Sequence, residues 1–177
     1  MGEIEQLVAA LNKLNAHFFH FTDTRNLPRI RENGLQAMRS MKDSGFAPVA
    51  PGGNDWSLSA DRQSGMDRYV HLCFFSDHPM EWLARKDGRI EQSIFLKISP
   101  TVLTLPGVLI TDGVSNKSSV VAEPAEKMIR KLDLKVIYTR TDWKDPEIQE
   151  RLKAAKLCEI LVPNHVPLGM LANLPNG

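Results

Sequence analysis

Near its C-terminus the chain carries its strongest apolar run, Cys158-Glu159-Ile160-Leu161-Val162, with a carboxylate set inside it. Leu157 to Val162 reads as a strand whose residues want burial. An unpaired carboxylate in a dry core costs several kcal/mol or gives up its charge, so Glu159 needs either a partner or a cleft. Two readings stay open at this point. Glu159 is a catalytic carboxylate at the mouth of a cleft, or it is a strand glutamate facing solvent on a sheet edge, because alternate strand residues point outward.

The rest of the chain supplies the elements around that strand. Ile4, Leu7, Val8, Leu11 and Leu14 share one helical face, which predicts a packing helix over residues 1–15. His17 to Thr22 alternates polar and aromatic residues as a half-buried strand does. Asp23, Thr24 and Asn26 offer caps for a short helix that holds Pro28 in its first turn and ends at Gly34. Residues 40–68 are rich in Gly, Pro, Ser, Asp and Asn and read as a long loop. Further strands are expected at Tyr69 to Phe75, Ser93 to Ile98, Gly107 to Ile110 and Leu134 to Tyr138. Helices are expected to begin at His78-Pro79, Glu123-Pro124 and Asp145-Pro146. Strands not regularly separated by helices, with no repeat and no clean linker, give an α+β fold in one compact domain over residues 1–177.

Length and charge agree with that fold. The chain has 177 residues, 42% hydrophobic and 24% charged, which is ordinary globular usage with a well-buried core. Lys and Arg number 22 against 21 Asp and Glu, a net charge of +1, so nucleic-acid binding through bulk phosphate neutralisation is not expected. Any such contact is local, with basic residues gathered at the cleft of Glu159. Cys73 and Cys158 form no C-x-x-C, and the expected compartment is a reducing cytoplasm. Met1-Gly2-Glu3-Ile4-Glu5 lacks the basic start and apolar run of a signal peptide, and no stretch reads as a membrane span.

Familiar chemistry is mostly missing. The chain has no G-x-G-x-x-G, no G-x-x-x-x-G-K-[ST] and no G-x-S-x-G. His17 and His20 lie three apart on a strand and face opposite sides, and His71, His78 and His165 have no zinc spacing, so no metal is implied. His20 reads equally as a ligand-orienting ring or a packed core histidine. Arg25, Arg29, Arg31, Arg39 and Lys42, against Glu32 alone, make a positive stretch that is either a phosphate site or a solvated helix face.

Several segments, in order, resemble the DarT family of NAD-dependent DNA ADP-ribosyltransferase toxins. They are His17-Phe18-Phe19-His20-Phe21-Thr22-Asp23 with Asn26-Leu27-Pro28 and Gly34-Leu35, Tyr69-Val70-His71-Leu72 with Pro79-Met80, Thr111-Asp112-Gly113, and Cys158-Glu159-Ile160-Leu161-Val162-Pro163. The resemblance implies a split β-sheet flanked by helices, a glycosyltransferase-class enzyme with NAD as co-substrate and no metal, and transfer of ADP-ribose to a nucleobase of single-stranded DNA. Glu159 falls at the catalytic glutamate and His20, Thr22 and Asn26 at the NAD-binding strand and turn. Arg62 is the expected catalytic arginine, with Arg68 as a second cofactor-binding candidate, and the loop over 40–68 would lie near the NAD cleft. Cys73-Phe74-Phe75-Ser76-Asp77-His78 departs from the pattern of thymidine-modifying members, which leaves open a guanine-modifying or RNA-modifying relative, a protein acceptor, or an inert nucleic-acid-binding module. Lys127, Arg130, Lys131, Lys135, Arg140 and Lys144 would meet phosphates, with Tyr138 and Trp143 as stacking faces, unless these are ordinary surface and core residues. A toxin of this kind implies a cognate antitoxin, typically a macrodomain protein that removes ADP-ribose.

Overall fold

A computed structural model describes residues 2–175; Met1 and residues 176 and 177, which belong to the predicted domain span, lie outside the described residues. In chain order the elements are α1 (Glu3–Lys13), β1 (Phe18–Asp23), α2 (Leu27–Asn33), β2 (Leu35–Gln36), α3 (Met38–Asp43), α4 (Asp55–Ser64), β3 (Tyr69–Cys73), α5 (Pro79–Lys86), β4 (Ser93–Ile98) and β5 (Leu109–Thr111). They continue with β6 (Ala122–Pro124), α6 (Ala125–Met128), α7 (Leu134–Tyr138), α8 (Pro146–Leu157), β7 (Glu159–Pro163) and β8 (His165–Val166). Among the described residues, six strands form one sheet in the order β4-β1-β3-β7-β5-β6, every pair antiparallel, and β2 pairs with β8 in a small second sheet. The helices flank the sheet, so the chain is an α+β domain.

Register explains how one carboxylate survives in an apolar strand. Glu159 lies opposite Cys73 and Leu161 opposite His71, so these four share one face of the sheet. Ile160 and Val162 take the other face with Leu72 and Val70, where Ile4, Val8 and Leu11 of α1, Leu27 and Ile30 of α2, and Met128 and Ile129 complete the core. Burial of each such Ile, Leu or Val side chain contributes about 1.5–3 kcal/mol. Leu14, expected on the buried stripe of α1, is instead its exposed C-terminal cap residue.

Between β1 and β3 the sheet opens. Their register holds a single Cα pair, Phe19 with Cys73; beyond it Phe21 to Asp23 pair only with β4, while Tyr69 to His71 pair only with β7. The result is a split sheet whose fork lies beside Glu159.

The structure corrects several local expectations. Residues 40–68 are not one loop: α4 occupies Asp55–Ser64, started by the Asn54 side chain accepting the Ser57 N–H at 2.8 Å and stopped by Gly65 at φ 75°. The composition hid this helix because its apolar residues are few and Trp56 is exposed. Leu134–Tyr138 is a helix rather than a strand, because Asp133 caps it through the Val136 N–H at 3.0 Å and is itself gripped by Arg151. Glu123-Pro124 belongs to β6, and the helix expected there starts at Ala125.

Gly34 ends α2 at φ 71° and ψ −167°, a region open almost solely to glycine, and a Cβ there would lie 2.4 Å from the Val166 carbonyl oxygen. Gly34→Ala is therefore expected to cost about 1–3 kcal/mol in backbone strain before the clash is counted, read as a lowered urea midpoint.

Candidate active site

Glu159 is buried, at 8% exposure, and its surroundings come from separate parts of the chain. Thr111 at the end of β5 accepts the Glu159 N–H at 2.9 Å and donates its hydroxyl to the Gly113 carbonyl at 2.6 Å. Asp112 fastens the loop that follows, its carboxylate accepting the Val121 N–H at 2.8 Å. That loop brings the Ser115 N–H to Glu159 Oε2 at 2.7 Å. The Thr-Asp-Gly motif thus shapes a loop that holds the carboxylate.

His71 faces Glu159 from β3. Its Nδ1 is 3.7 Å from Glu159 Oε1, an ion pair rather than a hydrogen bond, and 3.2 Å from Ser115 Oγ. Its Nε2–H donates to the Met66 carbonyl at 3.1 Å. Burial opposes the charge on His71, but Glu159 and then Asp61 outweigh it and raise the ring to about 9. Burial likewise opposes the charge on Glu159, and His71 and Ser115 overcome it, leaving the carboxylate below its ordinary value. Asp61 of α4 also looks onto this pair; its Oδ1 is buried with no hydrogen-bond partner among the described residues, and burial pushes its carboxyl up.

His20 crosses the fork. Its Nδ1–H donates to the His71 carbonyl at 2.9 Å, and burial holds the ring's proton affinity down. The ring is then neutral, with Nε2 as an acceptor that meets no partner among the described residues. Thr22 and Asn26 are joined: the Asn26 amide donates to Thr22 Oγ1 at 3.0 Å and to the Ala50 carbonyl at 2.8 Å, and its oxygen accepts the Ala50 N–H at 3.1 Å. Asn26 thereby clamps the segment that leads into α4.

Arg62 and Arg68 are not brought to Glu159. The Arg62 guanidinium donates to Ser59 Oγ at 3.0 Å on the exposed side of α4, and its neighbour Asp61 takes the inward position. Neither arginine enters an ion pair among the described residues. The positive stretch 25–42 is largely engaged within the fold: Arg25 with Asp23 and Glu91, Arg29 over the Phe46 ring, Arg31 with the Pro175 carbonyl, and Arg39 with Asp67. It does not form a free cationic cluster at Glu159. Tyr138 is half-buried against the core, so of the two expected stacking rings only Trp143 is open.

Sequence reasoning missed His71, Ser115 and Asp61. His71 could be seen only with the register of β3 against β7, which places it two residues from Cys73 on the face of Glu159. Beside the fork lies a cleft of about 770 Å³ lined by His78, Trp82, Arg85, Phe95 and Lys156 among others. His78 stacks on Phe21 at 5.9 Å between ring centroids, and its Nε2 is buried without a hydrogen-bond partner. Among the described residues no group of His, Cys, Asp and Glu is arranged to hold a metal, and no helix is long and apolar enough to cross a membrane.

The fold, a split antiparallel sheet flanked by helices, is shared with solved DarT structures. Thermosipho africanus DarTG in complex with ADP-ribose superposes with a TM-score of 0.68 at 18% identity, over 89% of this chain and 43% of that one. Thermus sp. 2.9 DarT in complex with ADP-ribosylated ssDNA gives 0.63 at 18% identity over 88% and 78%, and the same protein with NAD+ gives 0.57 at 19% identity over 88% and 79%. This chain thus spans less than half the length of the Thermosipho protein. No curated protein matches it. The family model described as ssDNA thymidine ADP-ribosyltransferase, DarT, matches residues 19–174, and the chain belongs to the DarT family.

Proposed function

We propose that this chain cleaves NAD at the nicotinamide–ribose bond and transfers ADP-ribose to a base of single-stranded DNA, thymidine being the base that the family description names. The observation that carries this reading is Glu159: a carboxylate kept ionised although buried, beside the fork of the sheet. As the C–N bond breaks, nicotinamide leaves with the bonding electrons and positive charge develops on the ribose. A preorganised anion in a water-poor site stabilises that charge. The base nitrogen then forms the new bond to the ribose carbon, and Glu159 takes the proton that the base gives up.

The remaining roles follow from donor and acceptor inventory. Neutral His20 offers Nε2 to a ribose hydroxyl or carboxamide N–H, and Thr22 lies two residues on along β1, on the same face of the strand. Asn26 supports the cofactor side by holding Ala50. Arg62 and Arg68, with no ion pair of their own among the described residues, are available to diphosphate oxygens, Arg62 when α4 turns it inward on binding and Arg68 from the turn just before β3. Trp82 and Phe95 line the neighbouring cleft with stacking faces for an unpaired strand, while its cations Arg85 and Lys156 are paired with Glu81 and Asp77 and would have to exchange those partners for phosphates. An unpaired strand also presents its base edge freely. Modification of host DNA makes the chain a toxin that needs a restraining partner, and a macrodomain antitoxin that removes ADP-ribose fits that need.

Incubation with labelled NAD and, in parallel, single-stranded DNA, duplex DNA, RNA and a protein extract tests the proposal. Label is expected on single-stranded DNA alone; label confined to RNA or protein contradicts the acceptor, and oligonucleotide binding without NAD turnover contradicts the enzyme.

A further inference from the structure

We propose that His71 is a positioning residue for this transfer: as an imidazolium clamped between the Met66 carbonyl and Ser115, it keeps Glu159 ionised and fixes its direction within the fork. The inference rests on the reading of Glu159 given above.

The hydrogen-bond geometry argues for a charged ring. Met66 offers a carbonyl, which only accepts, so Nε2 carries a proton. On the other side Nδ1 faces the Glu159 carboxylate at 3.7 Å and Ser115 Oγ at 3.2 Å. A neutral ring with Nε2–H could accept the Ser115 hydroxyl at Nδ1, but the same lone pair would face the Glu159 carboxylate, which is repulsive; a second proton removes that conflict and Ser115 Oγ then accepts. Without this cation the carboxylate would keep only the Ser115 N–H at 2.7 Å against its burial, and a buried carboxyl so placed tends to take up a proton. A protonated Glu159 loses both the charge that stabilises the ribose cation and the capacity to accept a proton.

The other charged groups around the pair leave this assignment standing. Asp61 on α4 adds negative charge that favours the imidazolium. His20 on β1, which bonds the His71 carbonyl, is kept neutral by burial. Asp67, next to Met66, is held by Arg39 at 2.8 Å. Near Glu159, burial suppresses the charge of His78 and pushes the Cys73 thiol up to about 12, while Asp77 is paired with Lys156.

The sign of the pH dependence follows. The raised ring of His71 keeps its charge below about 9 and loses it above, so the pair is complete at neutral pH and dissolves on the alkaline side. Removing His71 raises the proton affinity of Glu159 and moves the acid limb of activity toward neutral pH.

His71→Gln keeps a donor for the Met66 carbonyl but carries no charge. Its kcat at pH 7 is expected to fall on the order of 10- to 100-fold, with KM for NAD changed by less than about twofold and the acid limb raised by about one pH unit. In the wild-type chain, NMR titration of the His71 ring is expected to give a midpoint near 9, falling toward or below neutral in Glu159→Gln. A wild-type midpoint at or below the ordinary 6.5 overturns the proposal, as does a variant whose activity drops equally at every pH. Absence of transfer by the wild type at every pH overturns the functional reading itself, whereas normal transfer with an unshifted variant profile overturns only the role of His71.

Discussion

Glu159→Gln is expected to lower ADP-ribose transfer by a factor on the order of 10³ or more while the chain stays folded. Loss of one preorganised electrostatic contact to a developing charge costs about 10²–10³ in rate, and Glu159 is also assigned the proton that leaves the base. The amide fits the same space and its oxygen still accepts the Ser115 N–H, so the loop from Gly113 to Val120 keeps its anchor. The half-buried His71 then loses its nearest anion, with Asp61 alone left to favour its charge, and gives up its proton more readily, which limits the effect on stability. Circular dichroism and thermal unfolding of the variant would separate lost chemistry from lost fold. Transfer within tenfold of the wild type would remove Glu159 from the reaction.

Asp23→Ala is expected to have the largest effect on stability, about 3 kcal/mol or more. The Asp23 side chain is fully buried at the end of β1 and accepts Arg25 through Nε and Nη2, both at 2.9 Å. It also accepts the backbone N–H groups of Arg25 at 2.9 Å and Glu91 at 2.7 Å. Truncation leaves those donors without partners at the point where β1 and β4 turn apart. The Arg25 guanidinium, helped by these N–H groups, holds the Asp23 carboxyl well below the usual carboxylate range. A depressed carboxylate contributes stability above its unfolded pKa, about 4, and loses it as pH falls through the folded value. The gap between wild type and variant should therefore be full at pH 7 in urea unfolding and should narrow below about pH 4. A gap that stays constant into acid would contradict the assignment.

The elements around the site were legible to different degrees, for reasons that can be located. The strand at Ser93–Ile98 and the short helix closed by Gly34 carried their own signals, apolar patterning in one case and a glycine stop in the other. Leu134–Tyr138 misled because its β-branched and aromatic residues favour a strand, while the side chain that makes it a helix, Asp133, lies just before it. The helix Asp55–Ser64 was masked because its start depends on one asparagine within a Gly- and Pro-rich stretch and its faces are weakly apolar.

The same distinction runs through the site. Glu159 stood out because a charge within an apolar strand violates a local rule, and such violations gather at functional sites. Its partners violate nothing locally. Ser115 lies in a polar loop and Asp61 on a polar helix, and His71 is one half-buried residue of a strand. Only the pairing of β3 with β7 and the closure of the loop by Asp112 bring them to the carboxylate. Arg62 shows the converse: a residue chosen for its chemistry lies one position from the side chain, Asp61, that the helix turns inward. The near-neutral charge of the chain is consistent with this picture, since the cations of 25–42 serve the fold.

The proposed transfer of ADP-ribose from NAD to a base of single-stranded DNA is tested most directly by mass spectrometry of a thymidine-containing single-stranded oligonucleotide after incubation with NAD and the wild-type chain. The expected product is an oligonucleotide carrying one ADP-ribose on a base, with nicotinamide released in equal amount and no product from Glu159→Gln. NAD consumed to free ADP-ribose while the oligonucleotide stays unmodified, or NAD left intact, would contradict it.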